Sequence, residues 1–209
     1  MSDKKNMADM SEGRVVLLLG VQGTLFTLLG LGLWHVTGRP LDEFARLSPT
    51  NLALGALLGV FFITLGVATL RLFPRFSRRM MDLQRDTYAF LANSFSNRAV
   101  VFVSIFAGVG EEALFRAGLQ TIASDYLGAA GGILLSSALF TLLHMSKPAI
   151  AVILFAISII FGVAFWFTGS FVVVATAHVL YDIFAVRYLR DMMQPTVTAE
   201  EAAMVQDEA

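Results

Sequence analysis

The chain has 209 residues, is 56% hydrophobic and only 15% charged, and has a mean hydropathy of +0.71 and a formal net charge of -1. Soluble domains are about 45–50% apolar and about 25% charged, so this composition excludes an ordinary soluble protein. The absence of cysteine excludes disulfides and thiolate chemistry. Because the apolar residues occur in blocks, we expect an all-α polytopic membrane protein.

The apolar blocks predict a bundle of about six membrane-spanning helices. They cover residues 15–34, 51–73, 99–118, 129–144, 150–167 and 171–188, with a connecting loop at 37–50 and turns at 124–128 and 169–170. We divide the chain into an N-terminal part at 1–98, a four-helix core at 99–188 and an acidic, disordered tail at 189–209. The polar residues 1–13 are also expected to be disordered, and no signal-peptidase site is evident.

The segment from Pro74 to Arg98 has a different pattern. Apolar residues recur there at helical spacing, and arginines lie between them; the apolar set is Phe76, Met80, Leu83, Leu91 and Phe95, and the basic set is Arg75, Arg78, Arg79 and Arg85. This pattern is typical of a basic amphipathic helix in the headgroup region of a membrane. A topology anchor is the favoured interpretation, and recognition of an anionic lipid or of a partner is the alternative.

The basic residues also predict the orientation of the bundle. With six helices and a cytoplasmic N-terminus, the inner segments hold twelve of them and the outer segments hold Arg39 and Arg46 only. Such an asymmetry follows the positive-inside rule. We therefore expect both termini in the cytoplasm, and place the protein in the inner membrane of a bacterial cell.

Ionisable side chains occur inside three of the predicted helices. Glu111, Glu112 and Arg116 follow the uncharged stretch 99–110, His144 ends the fourth helix, and His178 and Asp182 lie at i and i+4 in the sixth. An ionisable group near the bilayer centre costs about 2.5–3.5 kcal/mol on translocon scales. Each of these features alone has a structural explanation as a packing pair or an interfacial residue. Their joint occurrence on three helices favours one shared polar site.

Three motifs connect these residues to a known family. EEALFR fits EExxxR, FTLLH fits FxxxH, and HVLYD fits HxxxN/D, in this order on successive membrane helices. Over residues 99–186 the sequence resembles the CPBP family, the CAAX-processing and bacteriocin-processing (Abi-type) intramembrane endopeptidases. The family is understood as glutamate-dependent membrane proteases, and some of its members act without proteolysis.

The resemblance implies a role for each motif residue. Glu111 and His144 would hold and activate a water molecule, and a buried carboxylate near a cation can act as a general base close to neutral pH. Glu112 and Arg116 would form a supporting pair, with Phe140 the other fixed residue of FxxxH. His178 and Asp182 would stabilise the oxyanion.

The role of Asp182 is open, because many family members have Asn at this position. An ionised Asp only accepts hydrogen bonds. It is therefore either protonated and a donor, or ionised and orienting an imidazolium form of His178; the second is favoured. A zinc site made of Glu111, His144, His178 and Asp182 is a less favoured alternative, since HExxH is absent and the ligands come from three helices.

These features predict a membrane-embedded endopeptidase with a membrane-associated protein or peptide as its substrate. No cofactor, no metal and no nucleic-acid partner are expected. The alternatives are a non-catalytic scaffold or bacteriocin-immunity protein of the same family and, less favoured, an ion-coupled transporter, which the missing internal repeat disfavours.

One distance argument opposes the predicted site. Glu111 lies about 18–20 Å along its helix from Arg98, whereas His144 lies only about 5 Å from Lys147. The two side chains can meet only if the third helix starts later, is tilted, or is broken at Gly108 and Gly110.

Overall fold

A computed structural model describes residues 10–85, 87–92, 95–144 and 146–193. These residues form helices and no strand, which confirms the all-α class. The helices are α1 (Glu12–Val36), α2 (Leu41–Phe44), α3 (Pro49–Leu72), α4 (Pro74–Gln84), α5 (Asn97–Glu112), a π-helical segment (Ala113–Gln120), α6 (Thr121–Leu143), α7 (Pro148–Thr168) and α8 (Phe171–Met193), with a short 3-10 turn at Ala89–Ala92.

Five helical segments in the described part of the chain are long and apolar enough to cross a membrane. The third of them, Asn97–Leu143, has 47 residues and is too long for one straight crossing. It reverses at Gly128, whose φ of 72° is readily adopted only by glycine. The turn predicted at 124–128 is therefore helical up to residue 127. The helices predicted at 99–118 and 129–144 are the two arms of this hairpin.

The outer limits of the helices differ from the predicted ones. Helix α1 already begins at Glu12, because the Glu12 carboxylate accepts hydrogen bonds from the backbone N–H and the hydroxyl of Ser96. Helix α8 continues to Met193, where Arg190 donates to the Phe95 carbonyl and to Asn97. Residues 189–193 are thus helical rather than disordered, and residues 1–9 and 194–209 lie outside the described part.

The predicted amphipathic helix is shorter than the segment Pro74–Arg98. It ends at Gln84, and the chain then turns inward through the 3-10 turn. The reason is burial: Leu91 and Phe95 pack in a cluster with α1 and the start of α5, where they are 0% and 2% exposed. A continuous helix lying on the membrane surface would leave these two side chains outside that cluster.

The two ends of the bundle are distinct. At one end Arg39 forms a two-pronged ion pair with Asp125, which lies just before the Gly128 reversal, and Phe44 stacks on Phe171. At the other end the beginnings of α1 and α5 and the end of α8 meet through the bonds of Glu12 and Arg190. When the two hairpin arms are counted separately, the five apolar segments of the described residues comprise six long helices. That the second end faces the cytoplasm stays a prediction.

Glycines let α1 approach the hairpin very closely. A methyl group added at Gly30 would overlap the backbone of Ala113, and one added at Gly23 would overlap the backbone of Phe106. Small residues at such crossings are typical of helix pairs in membranes, where association depends on packing rather than on the hydrophobic effect. This contact holds α1 against the segment that carries the acidic residues.

We expect Gly30→Ala to destabilise the protein by about 1–3 kcal/mol, because the extra methyl group has no space and α1 must move away. Gly32→Ala is the matched control, since nothing lies within 4 Å of a methyl group at that position of the same helix. Thermal unfolding of both purified variants in detergent measures the difference. Equal melting temperatures for the two variants would contradict this close packing.

Candidate active site

The acidic residues lie where the helix geometry changes. Helix α5 ends at Glu112, and the next eight residues, Ala113–Gln120, form a π-helix that continues into α6. The Thr121 hydroxyl donates to the Arg116 carbonyl five residues earlier, within the widened turn. π-Helical turns are rare in proteins, and those that do occur lie frequently at functional sites.

The hairpin brings His144 to Glu111. Glu111 lies seventeen residues before Gly128 and His144 sixteen residues after it, so the two arms place them at the same level. The helical arm at 97–127 is about 46 Å long at 1.5 Å per residue, which exceeds the roughly 30 Å hydrocarbon core. The depth counted from Arg98 therefore overestimates how deep Glu111 lies. The helix is not broken at Gly108 or Gly110.

Three helices contribute to a cluster around the Glu111 carboxylate. Its Oε2 lies 4.0 Å from Nε2 of His144 and 3.8 Å from Nε2 of His178. Both separations are too long for direct hydrogen bonds. The carboxylate and the two ring nitrogens therefore make no hydrogen bond to one another, and a small polar group could bond to them. The side chains are largely shielded, with 14% of Glu111 and 26% of His144 exposed.

A backbone bond fixes the orientation of His144. Its Nδ1 lies 2.8 Å from the Phe140 carbonyl oxygen, which can only accept, so Nδ1 carries the proton. In the neutral ring Nε2 is then an acceptor, and it is the nitrogen that faces Glu111. The Phe140 ring also packs against the imidazole, with 4.4 Å between the ring centroids. The FxxxH spacing thus supplies both the backbone acceptor and the packing surface.

Glu112 and Arg116 form a fully buried ion pair, as the i, i+4 spacing predicts. Glu112 Oε2 lies 3.2 Å from Arg116 Nε, and neither residue is exposed. Arg116 also donates to the Ser158 hydroxyl on α7, and its guanidinium lies 5.6 Å from the centroid of the Phe140 ring. Removing one partner of such a buried pair destabilises the protein, because the other charge is left without compensation.

Glu112 also orients His178, a contact that the sequence reasoning did not predict. Its Oε1 accepts a hydrogen bond of 2.9 Å from His178 Nδ1. Glu111 and Glu112 point about 100° apart around the helix, yet both reach the same imidazole, at opposite nitrogens. Asp182, which was also predicted to orient His178, lies beside the other ring nitrogen, with Oδ2 3.6 Å from Nε2.

Three further polar residues near the cluster were not predicted, and one of them, Ser158, bonds to it directly. Gln120 donates to the Gly162 carbonyl, Ser158 accepts from Arg116, and Tyr88 reaches the site from the segment before α5. Burial, with Asp182 and Glu111 nearby, raises the pKa of Tyr88 above its ordinary value. Tyr88 is therefore a neutral phenol beside the acids. A buried Gln in an apolar helix is a detectable signal, whereas Ser158 and Tyr88 have no sequence signature.

The expectation that no metal ion takes part stays a prediction. Within the described residues, no three His, Cys, Asp or Glu side chains are arranged so that they could hold a metal ion. The atoms that face one another around Glu111 and His178 are 3.6–4.0 Å apart.

Comparison with known proteins bears on this cluster directly. Residues 93–184 match the family model described as type II CAAX prenyl endopeptidase Rce1-like. No curated protein and no solved structure matches the chain. The matched range includes Glu111, Glu112, His144, His178 and Asp182. With several helices that can span a membrane, the chain is thus a multi-pass membrane protein whose residues 93–184 are similar to the Rce1-like type II CAAX prenyl endopeptidases.

Proposed function

We propose that the protein is an intramembrane endopeptidase that hydrolyses a peptide bond of a membrane-associated protein or peptide with a water molecule activated by Glu111 and His144. The observation that carries this proposal is the pair of free acceptors, Glu111 Oε2 and His144 Nε2, 4.0 Å apart in a shielded site. The Rce1-like match supports the same reaction class. No redox or nucleotide cofactor takes part.

The two acceptors suit a water molecule that must act as a nucleophile. Such a water donates one hydrogen to Glu111 and one to His144, which leaves an oxygen lone pair directed away from both. As this lone pair attacks the scissile carbonyl, the new C–O bond forms and Glu111 takes the proton, as a general base. Glu111 then returns the proton to the leaving amine as the C–N bond breaks.

His178 is suited to stabilise the oxyanion. Its Nδ1–H is held by Glu112, so Nε2 points in a fixed direction toward Glu111 and Asp182. Three carboxylates surround this ring and Arg116 neutralises only one of them, so we propose that His178 acts as an imidazolium. Its Nε2–H can then donate to the developing oxyanion, and a pre-positioned donor of this kind is a major catalytic contribution. Asp182 helps to keep His178 charged.

The proposal is tested by comparing protein termini in membranes that contain wild type or Glu111→Gln at equal levels. A glutamine has nearly the same shape but cannot take the proton, so we expect a defined set of new termini to disappear. A chelator arm separates this reaction from a zinc-dependent one, and the termini should survive chelation. If wild type and variant give the same termini while deletion of the gene has a phenotype, a non-catalytic scaffold replaces the protease.

The side from which substrates enter is a further part of this proposal. The exposed parts of the site are His144 and Asp182, at 26% and 21% of their side chains. His144 follows the last residue of α6, the arm that runs from the Gly128 reversal toward the end of the bundle where the basic residues are concentrated. We propose that substrates enter from this end, that it faces the cytoplasm of a bacterial cell, and that both termini lie there.

A further inference from the structure

Helix α4 is attached to the bundle at the buried Ser77, it also contacts α7, and several side chains of its second half are half-buried, whereas most of its first half is exposed. It follows α3 after a single residue, Phe73, and the buried Ser77 donates to the Thr69 and Phe73 carbonyls. These bonds set the angle between α4 and the end of a membrane-spanning helix. Helix α4 therefore lies at the level where a bilayer meets water.

The arginines of α4 share one arc of the helix. Arg75, Arg78 and Arg79 are related by i+3 and i+4 spacings, which make them direct neighbours on the helix surface, and all three are exposed. Leu72, Phe73 and Phe76 are exposed at the same end of α3 and α4, at 71%, 61% and 47%. Exposed apolar side chains beside exposed guanidinium groups are typical of a helix that lies in the headgroup region.

The three guanidinium groups have no acidic partner among the described residues. Asp82 lies at i+4 from Arg78 and i+3 from Arg79, yet it pairs with neither. Like charges at such spacings disfavour the helix, and an opposite charge supplied from outside removes this cost. Arginine forms two-pronged bonds with phosphate, so the phosphates of lipids fit this arc.

We propose that the arc of Arg75, Arg78 and Arg79 is a binding surface for anionic phospholipids. A topology anchor requires only positive charge on one side of the membrane. The arc consists of three unpaired arginines on a helix that Ser77 holds in place. It therefore also predicts that anionic lipids are preferred over zwitterionic lipids next to the protein, since anionic surfaces attract each basic residue near them.

The test uses the full chain in phosphatidylcholine vesicles and measures how much spin-labelled phosphatidylglycerol or phosphatidylcholine is immobilised by it. We expect an excess of phosphatidylglycerol for wild type. The triple variant Arg75→Gln, Arg78→Gln, Arg79→Gln should lose that excess, and the triple Lys variant should keep most of it. Arg46→Gln, at the opposite end of the bundle, is the matched control and should match wild type.

Two results overturn the proposal. One is an equal association of both lipids with wild type, which would point to an acidic protein partner or to a topology anchor alone. The other is an undiminished excess in the triple Gln variant, provided that its thermal unfolding matches that of wild type. Neither measurement depends on proteolysis, so a negative result for lipid binding does not contradict the proposed function, and a negative result for proteolysis does not contradict lipid binding.

Discussion

Replacing Glu112 by Gln is expected to lower the free energy of unfolding by about 3–5 kcal/mol, because it leaves the buried Arg116 charge without its partner. Both residues are fully buried, and the described hydrogen-bond partner of the Arg116 side chain is the neutral Ser158 hydroxyl. The substitution also weakens the bond that orients His178. Thermal or denaturant unfolding of the purified protein in detergent measures the loss.

Two variants make this prediction specific. Glu111→Gln is the same substitution one residue earlier, at a side chain that does not pair with Arg116, and it should leave the unfolding temperature close to that of wild type. The double variant Glu112→Gln, Arg116→Met removes both charges and should recover much of the lost stability, since apolar replacements of buried pairs are often tolerated. Wild-type stability of Glu112→Gln alone would contradict the buried ion pair.

Replacing His144 by Ala is expected to lower kcat by about 10²–10⁴, because the water then loses one of the two groups that position it for proton transfer to Glu111. The loss follows from the fixed ring, whose Nδ1–H is held by Phe140 and whose Nε2 faces Glu111. Cleavage of a peptide derived from the identified substrate, with kcat and KM determined separately, measures it.

His35→Ala is the matched control for this variant. His35 is the histidine outside the site, exposed near the end of α1, so its replacement should leave both constants unchanged. A His144→Ala enzyme with a raised KM and an unchanged kcat would contradict its proposed role in activating water and indicate a role in substrate binding.

The sequence predicts the helices because their apolar blocks are long and separated by polar residues. It predicts the site residues because charges such as Glu111 and Arg116 are costly in a membrane and rarely occur there without a role. The meeting of Glu111 with His144 is harder to predict, because it depends on counting residues from the Gly128 reversal rather than from the helix ends. The sequence predicts a turn over the whole range 124–128. Such a turn does not show that Glu111 and His144 are almost equally far from Gly128 along the two arms.

Other contacts have no signal in the sequence. The hydrogen bond that Glu112 accepts from His178 depends on how α5 and α8 pack at Gly108. An added methyl group at Gly108 would meet the Val179 backbone. The π-helical segment after Glu112 changes the direction of the side chains that follow, which a regular helical wheel does not include. Helix α4 ends earlier than its pattern suggests because Leu91 and Phe95 are more stable in the core than at the surface.

The most direct test of the central claim is the kcat of purified Glu111→Gln on a cleaved peptide, beside wild type with and without a chelator. Because glutamine cannot accept the proton from water, we predict a loss of about 10²–10⁴ in kcat, at unchanged fold, and a wild-type rate that chelation leaves intact. A Glu111→Gln enzyme that cleaves at the wild-type rate, or a wild type that chelation inactivates, would contradict a water molecule activated by Glu111 and His144.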